Sequence, residues 1–204
     1  MEKFFALPEA KQKAIIDAAH MTFGKVGYKK ASANDIATAA GISKGMIFHY
    51  FGSKKRMYLY LVELAMQSIT EAFSSAYDKP VSDFFDRVLV GTQIKLSLIQ
   101  RYPALFSFLV SAYFETDPEV TEEIQAFLKK GESFRNDFAL TKLDTAKFKE
   151  NVKPELVLNI LVKFTEGYVR TTTIDHSLDL DPLMREFTEC LHLMKNNFYK
   201  EEYL

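Results

Sequence analysis

Apolar residues recur at steps of three and four along most of this 204-residue chain, which is the spacing of an amphipathic helix. No run alternates apolar and polar residues as a half-buried strand does. Glycine and proline stand between the periodic runs, where they separate helices rather than interrupt them. The pattern therefore predicts an all-α protein.

Prolines and caps mark the starts of the predicted helices. Pro8 stands at the favoured early position of the first helix. The packing face of this helix is predicted to be Ile15, Ala19, Met21, Thr22, Phe23 and Val26. Later helices are predicted from Ser53 to about Ala76, ending at a break over residues 78–80, then from Phe84 to about Arg101, from Ala104 to Phe114, from Pro118 to at least Leu128 with an interruption at Gly131, from Glu155 to about Thr173, and from Asp181 through Phe198. Residues 141–153 are polar and are predicted to form a surface connection.

The stretch from Ala31 to Met57 has the pattern of two short helices joined by a tight turn. Ser32 is placed to cap the first helix, with Asp35 in the capping-box position three residues later. Gly41 ends this helix where a positive φ is required, and Ser43 is placed to cap the next. An inner apolar seam is predicted from Ile36, Ala40, Ile42 and Ile47, with the small Ala37 at the crossing. This is the helix-turn-helix pattern.

A two-helix pattern alone also fits any alanine-rich pair of helices inside a core. The residues that follow favour the first interpretation. Ser53 is placed to cap a further helix, and the first turn of that helix contains Lys54, Lys55 and Arg56. Cations at a helix N-terminus oppose the helix dipole, so the arrangement is easier to understand if a phosphate binds nearby.

Several fixed spacings in this region match together. They are carried by Gly27-Tyr28, Ser32, Asp35-Ile36-Ala37, Ala40-Gly41-Ile42-Ser43-Lys44-Gly45 and Tyr50-Phe51-Gly52-Ser53-Lys54. In these residues the first quarter of the chain resembles the DNA-binding domain of the TetR family of bacterial regulators. The resemblance implies an N-terminal three-helix helix-turn-helix DNA-binding domain, residues 1–52. It also implies a C-terminal helical bundle for ligand binding and dimerisation, residues 53–204.

Four positions depart from the family pattern. Phe48 stands where the family usually has a tyrosine, so a hydroxyl that commonly reaches DNA is missing. The other departures are Met46 for a small or hydroxyl residue, Ala33 for a branched apolar one and Lys55 for an acid. These differences bear on base preference more than on fold.

The predicted DNA contacts follow from which side of the second short helix is free. Ile47 and Phe51 are needed in the core, and the N-terminal half of a recognition helix meets base edges. Tyr50 and Lys54 are predicted to hold phosphates. The full set of predicted DNA-binding residues is Lys29, Lys30, Ser32, Ser43, Lys44, Gly45, Met46, Phe48, His49, Tyr50, Lys54 and Lys55.

Charge is distributed unevenly along the chain. Residues 1–60 carry a net charge of +6 and residues 61–204 a net charge of −7. A basic head on an acidic body suits a protein of which one end meets nucleic acid, and it disfavours membrane binding through the body. The alternative is chance clustering of solvated charges.

Two late helices and an aromatic-rich middle suggest the functions of the body. Wide apolar surfaces on the last two helices predict a contact between two copies, through Leu158, Leu161, Phe187, Leu191, Met194 and Phe198. Aromatic and methionine side chains also suit a site for a small, largely apolar effector, with candidate walls Met66, Phe106, Leu109, Tyr113, Phe164 and Tyr168. Both sets also fit plain core packing within one chain.

Candidate chemistry elsewhere is sparse. The four histidines are scattered, at His20, His49, His176 and His192, and none pairs with a nucleophile. Glu189-x-x-His192 resembles half of a di-metal site, but its shorter echo, Asp17-x-x-His20, lies in a different part of the chain. No enzyme activity and no cofactor are therefore expected. The single cysteine, Cys190, and the lack of a signal or membrane-spanning segment predict a cytoplasmic protein.

The sequence thus predicts a homodimeric, sequence-specific DNA-binding regulator of transcription. Its expected partners are a near-palindromic operator in double-stranded DNA and a small apolar effector that releases it as a repressor. The alternative is a helical small-molecule carrier or enzyme with a vestigial helix-turn-helix. A third possibility, a sequence-neutral architectural DNA binder, is disfavoured by the acidic body.

Overall fold

The computed structural model describes residues 1–77, 81–172 and 180–204, and every regular element within these ranges is a helix. This confirms the prediction of an all-α fold. The helices are α1 (Glu2–Phe5), α2 (Glu9–Lys30), α3 (Ala33–Ala39), α4 (Lys44–Phe51), α5 (Lys54–Ala76), α6 (Phe84–Arg101), α7 (Pro103–Tyr113), α8 (Thr121–Leu140), α9 (Pro154–Thr172) and α10 (Asp181–Phe198).

Most helix bounds lie within one residue of the predicted ones, but α8 begins at Thr121 rather than at Pro118. The short α1 was not predicted. The sequence also predicts that Lys29 and Lys30 lie in a connection leading to Ser32, but α2 continues through a kink at Gly27 to Lys30 and includes both. Helix α8 runs through Gly131 without interruption. The connection over residues 141–153 is not simply surface, because Phe148 is buried. The predicted break at residues 78–80, the predicted end at Thr173 and His176 lie outside the described residues.

The chain divides into two compact units. Unit 1 comprises residues 1–77 and 94–133, and unit 2 comprises residues 78–93 and 134–204. The predicted domain boundary between residues 52 and 53 stays a prediction.

Unit 1 is built on close packing of α2 against α7. Phe23 and Phe108 are fully buried, and at Gly24 a Cβ atom would lie 2.9 Å from the backbone nitrogen of Phe108. Only glycine allows the two backbones to approach this closely. The predicted face of α2 is correct for Ile15, Ala19 and Phe23, which are buried. It is wrong for Met21 and Val26, which are exposed: Met21 lies on the far side of the helix, and Val26 directly precedes the kink.

Unit 2 is held by a buried aromatic cluster and by buried charges. Arg87 lies in the interior of unit 2 and donates hydrogen bonds to the carbonyl oxygens of Val81 and Thr141, at 2.6 Å each, and of Phe138 at 3.2 Å. It thereby closes the carbonyl end of α8, where a cation is favourable. The cluster includes Phe84, Phe85, Phe148, Phe187 and Tyr199.

Asp83 organises the polar edge of unit 2. One of its carboxylate oxygens accepts the backbone N–H of Asp86 at 3.2 Å and so caps α6, and the other accepts from Lys147 at 2.8 Å. The Nζ atom of Lys195 lies 3.4 Å from the Oδ1 atom of Asp83. Burial raises the pKa of Asp83, but the bonds from Lys147 and Asp86 and the charge of Lys195 outweigh burial and leave the pKa below its ordinary value.

Candidate nucleic-acid interface

The turn between α3 and α4 has the geometry that the sequence predicts. The Ser32 hydroxyl accepts the N–H of Asp35 at 3.1 Å and donates to its carboxylate at 2.7 Å, which is a cap. Gly41 has φ of +66°, and its N–H donates to Thr38 O at 3.2 Å. The N–H of Ile42 donates to Ala37 O at 3.0 Å, which completes the hydrogen-bond pattern of a glycine-terminated helix.

Burial fixes which face of α4 is free. Ile47 and Phe51 are inside the core of unit 1, where Ile36 and Ala37 of α3 are also buried. The exposed positions of α4 form two pairs, each one turn apart, and Met46 is half-buried against the core. The exposed residues of this helix are Lys44, Gly45, Phe48 and His49. Of the five residues predicted to face the major groove, Lys44, Gly45, Phe48 and His49 are therefore on the free side of α4, and Met46 is half-buried.

Ser43 differs from its predicted role. It occupies the N-cap position of α4, but its side chain makes no capping hydrogen bond, so the prediction of a side-chain cap is wrong. The backbone oxygen of Ser43 accepts from Met46 N–H instead, at 3.0 Å. The exposed hydroxyl remains available, and its predicted DNA contact stays a prediction.

Tyr50 contributes to packing rather than to the surface. Its side chain is 7% exposed, and its ring centroid lies 6.3 Å from that of Phe4 and 5.7 Å from that of His49. The predicted phosphate contact of Tyr50 stays untested. Burial has the clear effect of fixing α4 against α1.

Lys54 forms internal bonds at the start of α5. Its Nζ donates to Tyr28 O at 2.9 Å and to Ala31 O at 3.3 Å, and it lies 4.1 Å from the centre of the Tyr28 ring. These carbonyls are at the C-terminal end of α2, where a cation is favoured. Its neighbour Lys55 pairs with Glu123 at 2.6 Å.

These bonds explain within the chain why Lys54 and Lys55 are stable at the start of α5. Partners within the chain already offset the repulsion of Lys54 and Lys55 from the helix dipole, so no phosphate is needed to explain them. Ser53 caps this turn as predicted, because its hydroxyl accepts the N–H of Arg56 at 3.1 Å. The predicted phosphate contacts of both lysines stay predictions.

A kink presents Lys29 and Lys30 on the surface. Gly27 has φ of +74° and ψ of 174°, a conformation that non-glycine residues rarely adopt. The kink turns the N–H of Tyr28 toward Glu115, whose carboxylate accepts it at 2.9 Å. Glu115 also accepts the N–H groups of Thr116 and Asp117 at 2.9 Å each. The sequence did not reveal this role for Glu115, because its partner is 87 positions away.

The predicted ligand walls are divided between the two units, and the six-residue site stays a prediction. Met66 lines an open groove of about 350 Å³ between α5 and α8 in unit 1. Phe106 and Leu109 are half-buried on α7, and Tyr113 is exposed. The remaining two, Phe164 and Tyr168, belong to unit 2, where they are half-buried. The groove is lined by Glu63, Met66, Gln67, Thr70, Glu71, Phe127 and Lys130.

Most of the predicted dimer residues are buried within their own chain. Leu158, Leu161, Phe187 and Leu191 lie in the core of unit 2, and Met194 and Phe198 are partly buried against it. The same two helices expose other apolar side chains, namely Leu156, Ile160 and Leu193. The six-residue interface stays a prediction, and these three exposed side chains extend the apolar surface available to it.

His20 is a buried histidine that the sequence did not distinguish. It packs on Phe108, with ring centroids 5.0 Å apart, and its Nε2 has no hydrogen-bond partner. Burial lowers its pKa to about 4, an effect that the charge of Asp17 opposes only partly.

Among residues 1–77, 81–172 and 180–204, no group of three or more histidine, cysteine, aspartate or glutamate side chains is placed to share a metal ion. Within the same ranges, no helix has the length and apolar character needed to cross a membrane.

Comparison with known proteins gives matches of two kinds. Residues 15–61 match the family model described as bacterial regulatory proteins, tetR family. The HTH-type transcriptional regulator BetI of Agrobacterium fabrum is 36% identical over 59 residues, which cover 29% of this chain and 29% of that relative. The chain thus spans less than a third of the length of this relative.

Solved structures match over far more of the chain. A TetR family transcriptional regulator from Chloroflexus aurantiacus has a TM-score of 0.73 at 22% identity, covering 98% of this chain and 99% of that one. FadR from Bacillus subtilis, solved in complex with stearoyl-CoA, has a TM-score of 0.64 at 20% identity, covering 88% and 96%. At these identities the likeness establishes a shared fold.

Proposed function

We propose that this chain, which belongs to the tetR family of bacterial regulatory proteins, binds a specific DNA operator and regulates transcription. The observation that carries the proposal is the free face of α4. Lys44, Phe48 and His49 are exposed there while Ile47 and Phe51 anchor the helix in the core. A short helix held in this way, in the basic part of the chain, suits insertion into a major groove. Such a protein would act in the bacterial cytoplasm, where the DNA is.

Two classes of substitution separate base contacts from phosphate contacts. Lys30→Ala removes an exposed cation from α2, and we expect it to weaken binding to operator and unrelated DNA alike. The slope of log affinity against log salt should fall by about one unit, by counterion release. Substitutions Lys44→Ala and His49→Ala should instead change which sequence is preferred. The measurement is selection from random duplexes, followed by salt titrations.

Lys129→Ala is the matched control, because it removes an exposed lysine of α8, outside the basic segment. We expect it to leave the salt slope unchanged. Lys54→Ala should weaken binding and also lower stability, because Lys54 bonds to Tyr28 and Ala31. If Lys30→Ala changed the preferred sequence and His49→Ala lowered all affinities equally, the proposed orientation of α4 would be wrong.

We further propose that the protein acts as a homodimer on a near-palindromic operator. Twofold symmetry requires half-sites about 34–36 Å apart, or a multiple of this distance. Support comes from the apolar side chains that α9 and α10 expose. Leu193 is 65% exposed, whereas Leu183 and Leu191 of the same helix are buried.

The dimer proposal predicts different outcomes for two substitutions on α10. Leu193→Asp places a charge on the free face and should give folded monomers with weaker operator binding. Phe187→Asp places a charge in the core of unit 2 and should unfold that unit, because an unpaired buried charge is costly. Sedimentation and circular dichroism distinguish these results.

Leu204→Asp provides the control, because Leu204 is 60% exposed but lies at the end of the chain, beyond α10. It should remain dimeric. A Leu193→Asp protein that stayed dimeric at micromolar concentration would remove this face from the interface.

The finer proposal is a repressor released by a small, largely apolar effector. The groove beside Met66 supports it, because Met66 and Phe127 provide apolar lining and α5 also carries Lys54 at its start. FadR of the same fold holds stearoyl-CoA, a ligand with a long apolar chain. An effector must bind the DNA-incompatible state more tightly, and a typical coupling of about 1–3 kcal/mol weakens operator binding 5- to 150-fold.

The operator assay also tests the effector. Apolar compounds that raise the melting temperature are added, and operator affinity is measured at fixed salt. A Cβ at Gly131 would lie 3.5 Å from the Met66 methyl group, so Gly131→Leu should fill the groove and abolish the response. A compound that binds the groove and leaves operator affinity unchanged would not be the effector.

A further inference from the structure

The free face of α4 exposes an aromatic side chain that the fold does not use. Phe48 is 41% exposed, while its neighbours Ile47 and Phe51 supply the buried contacts of the helix. Among the described residues, its ring packs against no other aromatic ring. A phenyl ring has no conventional hydrogen-bond donor or acceptor, so Phe48 favours an apolar partner.

Gly45, about one turn before Phe48 on the same face, leaves room beside the ring. Met46 lies two positions before Phe48, on another side of the helix, and packs partly against the core. Gly45 has no side chain, and a Cβ there would meet only the Ser43 hydroxyl, at 3.9 Å. The surface around Phe48 is therefore open, and the helix backbone can approach a flat partner closely.

We infer that Phe48 recognises thymine through its C5-methyl group. This inference rests on the proposed DNA-binding function and specifies the kind of site that is bound. In the major groove the edges of guanine, adenine and cytosine present hydrogen-bonding groups, and thymine alone adds a methyl. A phenyl ring facing base edges gains from burying that methyl and gains nothing comparable from the other three bases.

The polar residues of the face then have a separate task. Lys44 stands one turn before Phe48 and suits the O6 and N7 acceptors of guanine. His49 adds a donor or an acceptor. A half-site read in this way should contain a thymine whose identity depends on its methyl group, next to base pairs read by hydrogen bonds.

The test starts from an operator selected with the wild-type protein from random duplexes. Each thymine is then replaced, one at a time, by deoxyuracil, which lacks the methyl group and keeps the same base pairing. Burying one methyl is worth about a fourfold change in affinity. We expect about a fourfold loss at one or two thymines of each half-site and none at the rest. This measurement uses the wild-type protein, so it does not depend on how a variant folds.

Phe48→Ala supplies the second arm. It should bind the operator more weakly, and the deoxyuracil-sensitive positions should become insensitive. The control is Phe114→Ala, which truncates a phenylalanine of similar exposure, 37%, outside the helix-turn-helix. That variant should retain the full deoxyuracil effect.

The outcomes separate this inference from the function on which it rests. If selection enriches no sequence, the proposed function fails. If a sequence is enriched but no deoxyuracil weakens binding, or if the losses are the same in Phe48→Ala, the thymine assignment is overturned and the DNA-binding function stands. In that case Phe48 contacts sugar or backbone.

Discussion

Replacing Phe4 with alanine should destabilise the protein by about 3–5 kcal/mol, the usual cost of removing a buried phenylalanine. Phe4 is completely buried, with its ring centroid 4.9 Å from Phe51 and 5.9 Å from Tyr60. It lies in α1, before the residues that match the family. Because Phe51 ends α4, loss of Phe4 should also loosen that helix and weaken operator binding. Urea unfolding and operator titration measure the two effects.

Phe5→Ala provides a close control. Phe5 follows Phe4 in the same helix but is 55% exposed, and its truncation should change stability by less than about 1 kcal/mol. Equal effects of the two substitutions would show that α1 does not support α4. A large loss of stability with unchanged operator affinity would show that α1 supports only the core.

Lowering the pH from 8 to 5 should cost about 2 kcal/mol of stability through His20 alone. Its pKa is about 4 in the folded protein, because burial disfavours the charged ring, and close to 6.5 when unfolded. The unfolded chain therefore binds a proton first as the pH falls. Stability from this group is complete above pH 6.5 and is lost between pH 6.5 and 4. Urea unfolding at pH 8, 6 and 5 measures how the free energy of unfolding changes with pH.

Variants at two histidines isolate this effect. His20→Leu should flatten the curve between pH 6.5 and 5, whereas His192→Leu, at an exposed position of α10, should leave it unchanged. The lowered pKa of Asp83 puts its titration at more acidic pH, outside this window. A wild-type curve that is flat from pH 8 to 5 would mean that His20 has access to water.

The sequence predicted the helix-turn-helix closely because its signals are local. The partners of Ser32, Gly41 and Ser53 in their caps and turns are at most three residues away. The role of Lys54 was missed because its partners are more than twenty positions away. The short α1 was missed because four residues are too few to show a helical period.

In the C-terminal part of the chain, helical periodicity predicts which faces are apolar but not what they pack against. Apolar residues on both sides of α9 and α10 predicted extensive contacts, but periodicity does not say whether a face packs on its own chain or on another copy. The structure buries Leu158 and Phe187 within unit 2 and leaves Leu156 and Leu193 exposed. The candidate effector walls were chosen on the same basis, and of these only Met66 lines the groove.

The contact at Gly24 gives unit 1 a mechanical property. Since no side chain separates the backbones of α2 and α7 there, no change of rotamer can absorb a small displacement between them. The two helices must shift as one rigid pair. Three residues later, Gly27 is the first point at which the α2 backbone departs from helical geometry. The kink at Gly27 therefore sets the direction of Lys29 and Lys30. The Glu115 carboxylate stabilises this kink by accepting the N–H of Tyr28.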